Sequence, residues 1–560
     1  ERTDLKPEIT ATTEHEEFVV ERLHFQSLPG LYVTGDLYRP RKQEGPLPAV
    51  LYLCGHGRVK IDGVSYGNKV HYQHHGEWFA RNGYVCLTID SLQLGEIEGF
   101  HHGTHNLGMW WWLPRGYTPA GVEAWNCIRA LDYLQTRKEV DGERLGCTGR
   151  SGGGAYSWWI AALDDRIRCA VPVAGITDLE NHVIDGCVDG HCDCMYFLNT
   201  HQWDYPLVAA LVAPRPLLIS NTDNDRIFPL EGVIRTHEKV RKIYRLLGAG
   251  ENLGLQITYG PHKDTQELRV HAFRWLNKHL KGEEALIRTV AEPLLEPADL
   301  KVFEKLPADQ LNTEIHETFV AAAPAPEPKR SHDQWQDRRK KIMQELGERT
   351  FAAWPSEPAQ LELKETGSAE VEGVRLTAYE FTSQEPFRLK LWIAHRADLE
   401  AADLITLNVL DDASWNEFTA TYGSRFGDLL AEKPPAKGER EKPAEDPFES
   451  TRRMFQSFPW AMAYVAPRGV GPTRTASEEA ARTKLRRRFY LLGQTLEGQQ
   501  VFDVRRAITA VRGVEAWQKT PLWLQSHRDM AGITLYASLF EENITRLDLH
   551  DLPTSHRDRK

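Results

Sequence analysis

Short apolar runs alternate with amphipathic segments through the first half of the chain, and this alternation restricts the fold more than any other feature. Six runs are predicted to be buried strands, at residues 48–57, 84–90, 144–149, 167–175, 215–220 and 255–259. Between them, apolar residues recur at helical spacing, as in 119–134 and 232–247. Strands that alternate with helices form a mainly parallel sheet with helices on both faces, so we expect an α/β fold, preceded by antiparallel edge strands at 18–38.

The length of 560 residues exceeds what one hydrophobic core usually supports, so two domains are expected. Hydrophobic residues make up 41% and charged residues 26%, which is ordinary for a soluble globular protein. The strand and helix pattern decays after residue 281, and the stretch 320–329 has the composition of a linker. We therefore predict a first domain at 1–295, a linker and helical connection at 296–375, and a second domain at 376–560.

Charge and hydropathy restrict the partners. A formal net charge of -11 and a pI near 6.1 provide no basic field for phosphate backbones, so we expect no nucleic acid partner. No apolar run is long enough to cross a bilayer, so we expect no membrane span. The sequence opens at Glu1 rather than at a signal peptide, which is compatible with a removed export signal. A secreted or periplasmic location is favoured over a cytoplasmic one.

The pentapeptide GRSGG at residues 149–153 matches the pattern G-x-S-x-G and stands between a predicted buried strand and a predicted helix. A nucleophilic serine at such a place occupies a strained strand-to-helix turn, where flanking glycines avoid the clashes that a Cβ atom would create. We therefore predict that Ser151 is a nucleophile. The alternative is a tight glycine turn whose serine caps the helix.

A serine hydroxyl attacks well only when a histidine accepts its proton and a carboxylate orients that histidine. In hydrolases whose serine lies at such a strand-to-helix turn, which is called a nucleophile elbow, the acid and the histidine follow the serine along the chain, on loops after later strands. Asp225 and His262 follow the last two predicted strands and are the predicted partners. Asp223 is an alternative acid, because two residues along a loop can point either way. Acyl transfer also requires donors for the oxyanion, and we predict the backbone N–H groups of Gly152 and Arg58.

The stretch 141–153, preceded by the helix ending in ALDYL at 130–134, resembles the α/β-hydrolases of the acetyl xylan esterase and dienelactone hydrolase type. It is also similar to the catalytic domain of prolyl oligopeptidase-type peptidases. The resemblance covers roughly residues 18–282 and implies an α/β-hydrolase domain with a Ser-His-Asp triad, which needs no cofactor and no metal. Two features depart from the family: Arg58 stands where a tyrosine is frequent, and the segment 178–205 is longer and richer in Cys and His.

The resemblance implies a serine carboxylester hydrolase whose ester substrate is a carbohydrate. A prolyl oligopeptidase-type peptidase is the alternative enzyme, and a carbohydrate-binding protein on an inactive hydrolase scaffold is the alternative without catalysis. Peptidases of this type generally carry a propeller or comparable domain before the hydrolase, whereas here only a strand-rich lead-in precedes it, which favours the esterase.

Two loops of unusual composition are predicted to lie near the nucleophile. His101, His102 and His105 and the run Trp110–Trp112 follow the strand at 84–90, on the side where ligands usually approach such sheets. We expect at least two of the three tryptophans to pack the loop against the body. The predicted substrate contacts are His56, Arg150, His102 and Trp111.

The second loop contains three of the eight cysteines and two histidines, namely Cys187, His191, Cys192, Cys194 and His201. The spacing matches no ordinary zinc pattern. A disulfide from Cys187 to Cys192 or Cys194, a metal site and reduced buried thiols all remain open at this point. The other five cysteines lie in apolar contexts and are expected to be small buried residues.

From about residue 380 the chain repeats the order of the first domain in weaker form. Where an elbow should follow the predicted strand at 521–524, the chain continues as QSHRDMAG, without flanking glycines. Ser526, His527 and Asp529 are too close in sequence to adopt the mutual geometry of a triad. We predict a degenerate α/β-hydrolase-like domain, and the sequence leaves open whether it is truncated.

Overall fold

The computed structural model describes residues 2–195, 197–324, 327–328, 331–430, 446–474 and 478–556. The chain divides into two compact units, Glu1–Glu327 and Pro328–Arg559, and each is described by itself. None of the described helices is long and apolar enough to cross a membrane.

The first unit is built around one large sheet. Its strands are β1 (Glu8–Glu14), β2 (Phe18–Leu28), β3 (Leu31–Pro40), β4 (Leu47–Leu53), β5 (Lys60–Ile61), β6 (Val64–Ser65), β7 (Val85–Ile89), β8 (Val140–Arg150), β9 (Ile167–Val173), β10 (Leu217–Thr222) and β11 (Leu253–Thr258). Nine of them form a sheet in the order β1-β2-β3-β7-β4-β8-β9-β10-β11, and β5 pairs separately with β6. The β1–β3 strands and the β3–β7 pair are antiparallel, whereas every pair from β7 to β11 is parallel.

Helices connect the parallel strands and cover the sheet. They are α1 (Gln73–Arg81), α2 (Gly103–Leu107), α3 (Pro119–Thr136), α4 (Gly152–Leu163), α5 (Leu179–Val183), α6 (Tyr205–Ala209), α7 (Leu230–Leu246), α8 (Gln266–Leu276) and α9 (Ile315–Thr318). Local sequence explains their starts. In α3, the Thr118 side chain accepts the N–H of Gly121 at 3.2 Å and Pro119 occupies the first turn, a common combination at helix N-termini. This strand and helix arrangement is the α/β-hydrolase fold, as predicted.

The central strands are buried along their whole length because helices cover both faces of the sheet. Every residue of β7 and β10 is buried, as expected for parallel strands between two layers of helices. On one face, Trp78 of α1 stacks on Phe273 of α8 with ring centroids 3.7 Å apart. Because the strands from β7 to β11 are parallel, their carboxyl ends lie at the same edge of the sheet, where Leu53 of β4 is paired with Gly149 of β8. Ligands of such sheets bind at this edge.

A buried ionic network holds the residues after β7 in place. The Lys69 ammonium is fully buried and lies 2.6 Å from Glu96 and 3.2 Å from Asp90. Glu96 also accepts the backbone N–H groups of Val302 and Phe303, at 2.6 and 2.9 Å. Buried charges are tolerated when they are paired and hydrogen-bonded in this way. The network therefore attaches the segment near residue 302 to the first unit.

The predicted end of the first domain at residue 295 is wrong, because the chain up to Glu327 packs with the first unit. Leu300 is buried in the same core cluster as Trp78, and the Asn312 side chain accepts the N–H of Tyr32 at 2.9 Å. This segment lacks regular strands and long helices, so its sequence has no periodicity that identifies it as part of a domain.

The second unit contains a smaller sheet with the same strand pattern. Its strands are β12 (Lys364–Val371), β13 (Val374–Gln384), β14 (Phe387–Arg396), β15 (Leu404–Val409), β16 (Trp460–Val465), β17 (Leu522–His527) and β18 (Ile544–His550). Its helices are α10 (His332–Glu345), α11 (Asp412–Phe426), α12 (Pro447–Ser457), α13 (Glu479–Leu491), α14 (Leu496–Gly513) and α15 (Arg528–Ser538). The predicted start of this domain at residue 376 is late, because β12 is an edge strand with few apolar residues and its sequence does not mark it as a strand.

The strand order β12-β13-β14-β16-β15-β17-β18 reproduces the first seven positions of the larger sheet. The directions agree as well: three antiparallel pairs are followed by parallel ones. Among the described residues, this sheet has no strands equivalent to β10 and β11. In the first unit, the loops after those two strands carry the predicted acid and histidine.

The second unit has a strand-to-helix turn at the place of the elbow, between β17 and α15. The residue with a left-handed backbone there is Arg528, with φ 52°. Its guanidinium forms a bidentate ion pair with Asp411 at 2.7 and 2.9 Å. Ser526 is buried within β17 and is not at the turn. A positively charged arginine paired with a carboxylate cannot act as a nucleophile, so this turn lacks the chemistry of a nucleophilic serine.

Candidate active site

Ser151 lies at the sharp turn between β8 and α4. Its backbone has φ 58° and ψ −120°, a left-handed conformation that non-glycine residues rarely adopt. The turn is held by the Ser151 N–H, which donates to the Val173 carbonyl at 2.9 Å. A Cβ atom on Gly153 would lie 1.8 Å from the Leu53 carbonyl oxygen, so α4 can approach β4 this closely only with glycine. The turn therefore presents the serine side chain at the carboxyl edge of the sheet.

Substitution of Gly153 by alanine is expected to destabilise the protein by more than about 3 kcal/mol, because the backbone of β4 cannot move away without disrupting the sheet. The free energy of unfolding from urea titration measures this loss. Gly121→Ala in α3 is the matched control, since the added methyl group would meet its nearest atom only at 3.8 Å. Its effect should remain within about 1 kcal/mol. Equal stability of the two variants would contradict the close approach at the elbow.

The side chains of Ser151, His262 and Asp225 form a continuous hydrogen-bonded chain. His262 follows β11, and its Nε2 lies 2.9 Å from the Ser151 Oγ. Its Nδ1 lies 2.7 Å from the Asp225 Oδ2. Because a carboxylate only accepts hydrogen bonds, Nδ1 carries the proton and Nε2 faces the hydroxyl as an acceptor. The three loops after β8, β10 and β11 thus bring together residues that are far apart in sequence.

Asp225 is held firmly in the loop after β10. Its side chain is completely buried, and its second oxygen accepts the N–H groups of Ile227 and Phe228 at 2.8 and 3.0 Å. The competing carboxylate, Asp223, is exposed and accepts the N–H of Gly260 at 2.8 Å. Asp223 therefore holds the loop that carries His262 and does not face its imidazole.

A second cluster behind His262 supports the same loop. The Asp264 Oδ2 lies 3.0 Å from the Nε2 atoms of both His74 and His75, and Arg269 forms an ion pair with the same carboxylate at 3.1 Å. Although burial opposes it, the surrounding histidines and Arg269 hold the pKa of Asp264 far below its usual range. The His74, His75 and Asp264 ligand atoms are close enough to hold a metal ion, but here they bond to one another. Sequence reasoning missed this cluster, because Asp264 lies about 190 residues after the two histidines.

A cavity of about 690 Å³ opens above Ser151. Of the predicted substrate contacts, His56, His102 and Arg150 line it. Lining residues that the sequence did not indicate include His71, Tyr72, Arg226 and Phe228.

The prediction for Trp111 is wrong, since Trp111 is not among the lining residues. It lies beside His316, with ring centroids 5.9 Å apart, and under the Arg115 guanidinium at 5.8 Å. Adjacent residues on a one-turn helix point in different directions, which three consecutive tryptophans cannot reveal from sequence. Trp110 and Trp112 are buried, as expected for side chains that pack this loop against the body.

The two predicted oxyanion donors differ in position. Gly152 lines the cavity, and its Cα lies so near His56 that a Cβ atom would be 2.8 Å from the imidazole. Arg58 is exposed and does not line the cavity, whereas His56 and Gly57 of the same turn do. The structure thus brings Gly152 together with His56 and Gly57 of the turn after β4 beside Ser151, whereas Arg58 is an exposed residue outside the cavity lining.

The cysteine-rich loop covers one side of the cavity. Cys192 and Cys194 form a disulfide, and their sulfurs lie 3.6 and 3.4 Å from the His56 Nε2. Of the alternatives left open by the sequence, a disulfide to Cys187 is not observed: Cys187 is a free thiol, and burial raises its pKa to about 11. The other five cysteines are free and buried, as expected. His56, Cys192 and Cys194 could hold a metal ion only after reduction of the disulfide.

Burial keeps two histidines that line the cavity uncharged. Together with a smaller effect of neighbouring imidazoles, it lowers the pKa of His56 to about 4 and that of His101 to about 3. The pKa of His182 falls to about 3 through burial alone. His182 packs against the rings of His191 and Tyr205, with centroids 5.1 and 4.9 Å away.

Because His182 is buried in its neutral form, the free energy of unfolding is expected to fall as the pH is lowered. Unfolding restores an ordinary pKa near 6.5 to His182, so the unfolded chain binds an additional proton as the pH falls from 6.5 towards 3. Urea titrations from pH 7 to pH 5 should therefore show that the native protein loses about 1 kcal/mol more per pH unit than His182→Leu. His201→Leu, which replaces an exposed imidazole, is the control and should follow the native protein. Parallel curves for all three proteins would contradict the burial of a neutral His182.

Comparison with protein families matches the prolyl oligopeptidase family over residues 70–242. Among curated proteins, YtaP of Bacillus subtilis (strain 168), named as a hydrolase, is 29% identical over 290 residues, which cover 50% of this chain and 94% of that protein. The uncharacterized peptidase YuxL of the same organism is 26% identical over 281 residues, covering 48% of this chain and 40% of that protein. A carbohydrate esterase from an unknown prokaryotic organism is 27% identical over 139 residues, or 22% of this chain and 32% of that protein.

Among solved structures, the glucuronoyl esterase from Solibacter usitatus aligns with a TM-score of 0.41 and 17% identity. The alignment covers 50% of this chain and 87% of that one.

Proposed function

We propose that this chain, a serine hydrolase with an α/β-hydrolase fold, hydrolyses carboxylic esters with Ser151 as nucleophile, His262 as general base and Asp225 as the acid that orients His262. The observation that carries the proposal is the hydrogen-bonded chain from the Ser151 hydroxyl through His262 to a buried carboxylate, with distances of 2.9 and 2.7 Å. This chain lies at the carboxyl edge of the sheet and opens into the cavity.

In the first half of the reaction, the Ser151 Oγ attacks the ester carbonyl carbon while its proton passes to the His262 Nε2. Negative charge develops on the carbonyl oxygen of the tetrahedral intermediate, and the Gly152 N–H stabilises it together with a donor from the turn after β4. His262 then gives its proton to the alcohol oxygen as the carbon–oxygen bond breaks. The alcohol leaves, and the acyl group remains on Ser151.

In the second half, water takes the place of the alcohol. His262 accepts a proton from the water, whose oxygen attacks the acyl carbon, and the same donors stabilise the second oxyanion. Collapse of this intermediate returns the proton to Ser151 and releases the acid. Asp225 remains ionised throughout, because its role is to hold Nδ1–H and to stabilise the imidazolium that forms in each half.

Carbohydrate is the alcohol we propose. A cavity of about 690 Å³ lies within the range of ligand sites and can contain a sugar ring beside the ester. Its walls carry imidazoles, guanidinium groups and the Tyr72 phenol, which can form hydrogen bonds with hydroxyl groups. The curated relatives include a carbohydrate esterase and a peptidase, so the choice between ester and peptide substrates is the one to test.

The test compares acetylated oligosaccharides and p-nitrophenyl acetate with proline-containing peptide p-nitroanilides, using the full chain. Release of acetate without cleavage of the peptides is expected. Cleavage of the peptides with higher kcat/KM than the esters would instead identify a peptidase. A fluorophosphonate probe should label Ser151, as located by peptide mass spectrometry, and absence of labelling would indicate a scaffold that binds carbohydrate without catalysis.

A further inference from the structure

Arg150 presents a guanidinium group to the cavity immediately beside the nucleophile. Its Nε and Nη2 atoms are buried and have no hydrogen-bond partner among the described residues. The same part of the chain offers it no ion pair with a carboxylate. A charged group is costly to leave without partners, and Arg150 as a residue lines the cavity, so a partner that arrives with the ligand can satisfy this guanidinium.

The carboxylates near Arg150 are already engaged elsewhere. Asp264 lines a small internal cavity together with Arg150, but it is bonded to His74, His75 and Arg269. Asp185 lines the main cavity, and its Oδ2 accepts the side-chain N–H of Asn181 at 2.6 Å. Within the described residues, the Arg150 guanidinium therefore has no carboxylate counter-ion.

The charged side chains that line the cavity carry a net positive charge although the whole chain is acidic. Two arginines, Arg150 and Arg226, line the cavity with Asp185 as the one carboxylate among its lining residues. The formal net charge of the chain is -11. A cavity with the opposite sign to its protein attracts anions selectively, because the remainder of the surface repels them.

Further donors accompany Arg150 on the same wall. Tyr72 lines the cavity together with Arg150, and burial raises the pKa of Tyr72 to about 12, so the phenol keeps its proton. His71 lies next to Tyr72 in the chain and also lines the cavity. A planar guanidinium with adjacent N–H and O–H donors is the type of site that binds a carboxylate or sulfate through two parallel hydrogen bonds.

We propose that the ester hydrolysed by this protein carries an anionic oxygen group, a carboxylate or a sulfate, which Arg150 binds next to the scissile bond. The inference rests on the proposed function and deepens it by specifying the charge of the substrate. Since Arg150 directly precedes Ser151, the anion lies close to the ester that the serine attacks. Arg226 adds long-range attraction from the rim.

Matched substrates that differ in charge test the proposal. On the acyl side, mono-p-nitrophenyl glutarate is compared with p-nitrophenyl valerate, which has the same chain length. On the alcohol side, acetylated glucuronic acid and sulfated acetylglucose are compared with neutral acetylglucose, and released acetate is measured. In at least one of these comparisons, we expect kcat/KM to be at least about 10-fold higher for the anionic substrate than for the neutral one. The alcohol-side pairs distinguish carboxylate from sulfate.

The preference ratio, rather than absolute activity, identifies the role of Arg150. In Arg150→Met the anionic to neutral ratio should fall to about one, and Arg150→Lys should retain part of it because the charge remains while the planar fork is lost. The preference of the native protein should also weaken with added salt. Arg168→Met is the control: Arg168 is exposed in β9, pairs with Glu143 at 2.8 Å, and its loss should leave the ratio unchanged.

The outcomes separate this inference from the proposed function. Hydrolysis of neutral and anionic esters at equal kcat/KM by the native protein would overturn the anionic substrate while ester hydrolysis stands. A preference that survives in Arg150→Met would overturn the role of Arg150. If no ester is hydrolysed and a fluorophosphonate does not label Ser151, the proposed function fails and this inference fails with it.

Discussion

Replacement of Ser151 by alanine is expected to lower kcat for ester hydrolysis by about 10⁴-fold or more, because it removes the atom that forms the acyl-enzyme. The hydroxyl oxygen that is lost lies 2.9 Å from the His262 Nε2. The binding cavity and the oxyanion donors remain, so the weak residual activity should come from those groups alone. Steady-state hydrolysis of p-nitrophenyl acetate and labelling by a fluorophosphonate measure the loss.

A serine in helix α4, which follows Ser151, supplies the control. Ser157 of α4 is buried, and its hydroxyl donates to the Gly153 carbonyl at 2.7 Å. Ser157→Ala should reduce the free energy of unfolding by about 1 kcal/mol while the labelling at Ser151 persists. If Ser151→Ala were still labelled and still hydrolysed esters at a rate near that of the native protein, another residue would be the nucleophile.

Substitution of Asp225 by asparagine is expected to lower kcat by about 10³- to 10⁴-fold with little change in fold. An asparagine amide can donate to Nδ1, which favours the imidazole tautomer with its proton on Nε2. In that tautomer Nε2 cannot accept the Ser151 proton, and no carboxylate stabilises the imidazolium. The backbone N–H groups of Ile227 and Phe228 still have an oxygen acceptor, so the loop should keep its conformation.

Asp223→Asn is the matched control for this substitution, because the two aspartates belong to the same loop. The exposed Asp223 accepts a backbone N–H of the His262 loop and does not face the imidazole. Its asparagine variant can still accept that N–H, so kcat should fall less than about 5-fold. A larger loss of kcat in Asp223→Asn than in Asp225→Asn would show that Asp223, and not Asp225, is the acid that orients His262.

Both units of the chain have a sharp strand-to-helix turn, but only the first unit has a serine at it. In both units a residue with left-handed φ stands where a strand passes into a helix: Ser151 in the first unit, and Arg528, the first residue of α15, in the second. Glycines next to that residue are absent in the second unit, so they are not essential for the turn. They are needed where the helix approaches the neighbouring strand as closely as Gly153 approaches Leu53.

Local sequence was sufficient for the general architecture and for the position of the sharp turn at Ser151. Parallel strands buried on both faces are short uninterrupted apolar runs, and helices between them have a period of 3.6 residues, so both can be recognised within a few residues. The G-x-S-x-G pattern at 149–153 is equally local. The order of strands after it was enough to select the loops that carry Asp225 and His262.

Other features depended on contacts between residues far apart in the chain. The sequence does not reveal that Trp111 turns toward His316, that Cys192 pairs with Cys194 while Cys187 remains a thiol, or that the segment after 295 packs against the first unit. The bonds between Asp264 and the two histidines of α1 span about 190 residues. No local spacing encodes such contacts.

The sequence by itself therefore determined the α/β-hydrolase fold, the position of the serine elbow and the pair of aspartates from which the acid could come. Only the tertiary structure decided which of those aspartates faces His262, and which side chains line the cavity. The physical reason is that periodicity records whether a residue is buried, whereas the direction of a side chain on an irregular loop is set by the elements that pack against it.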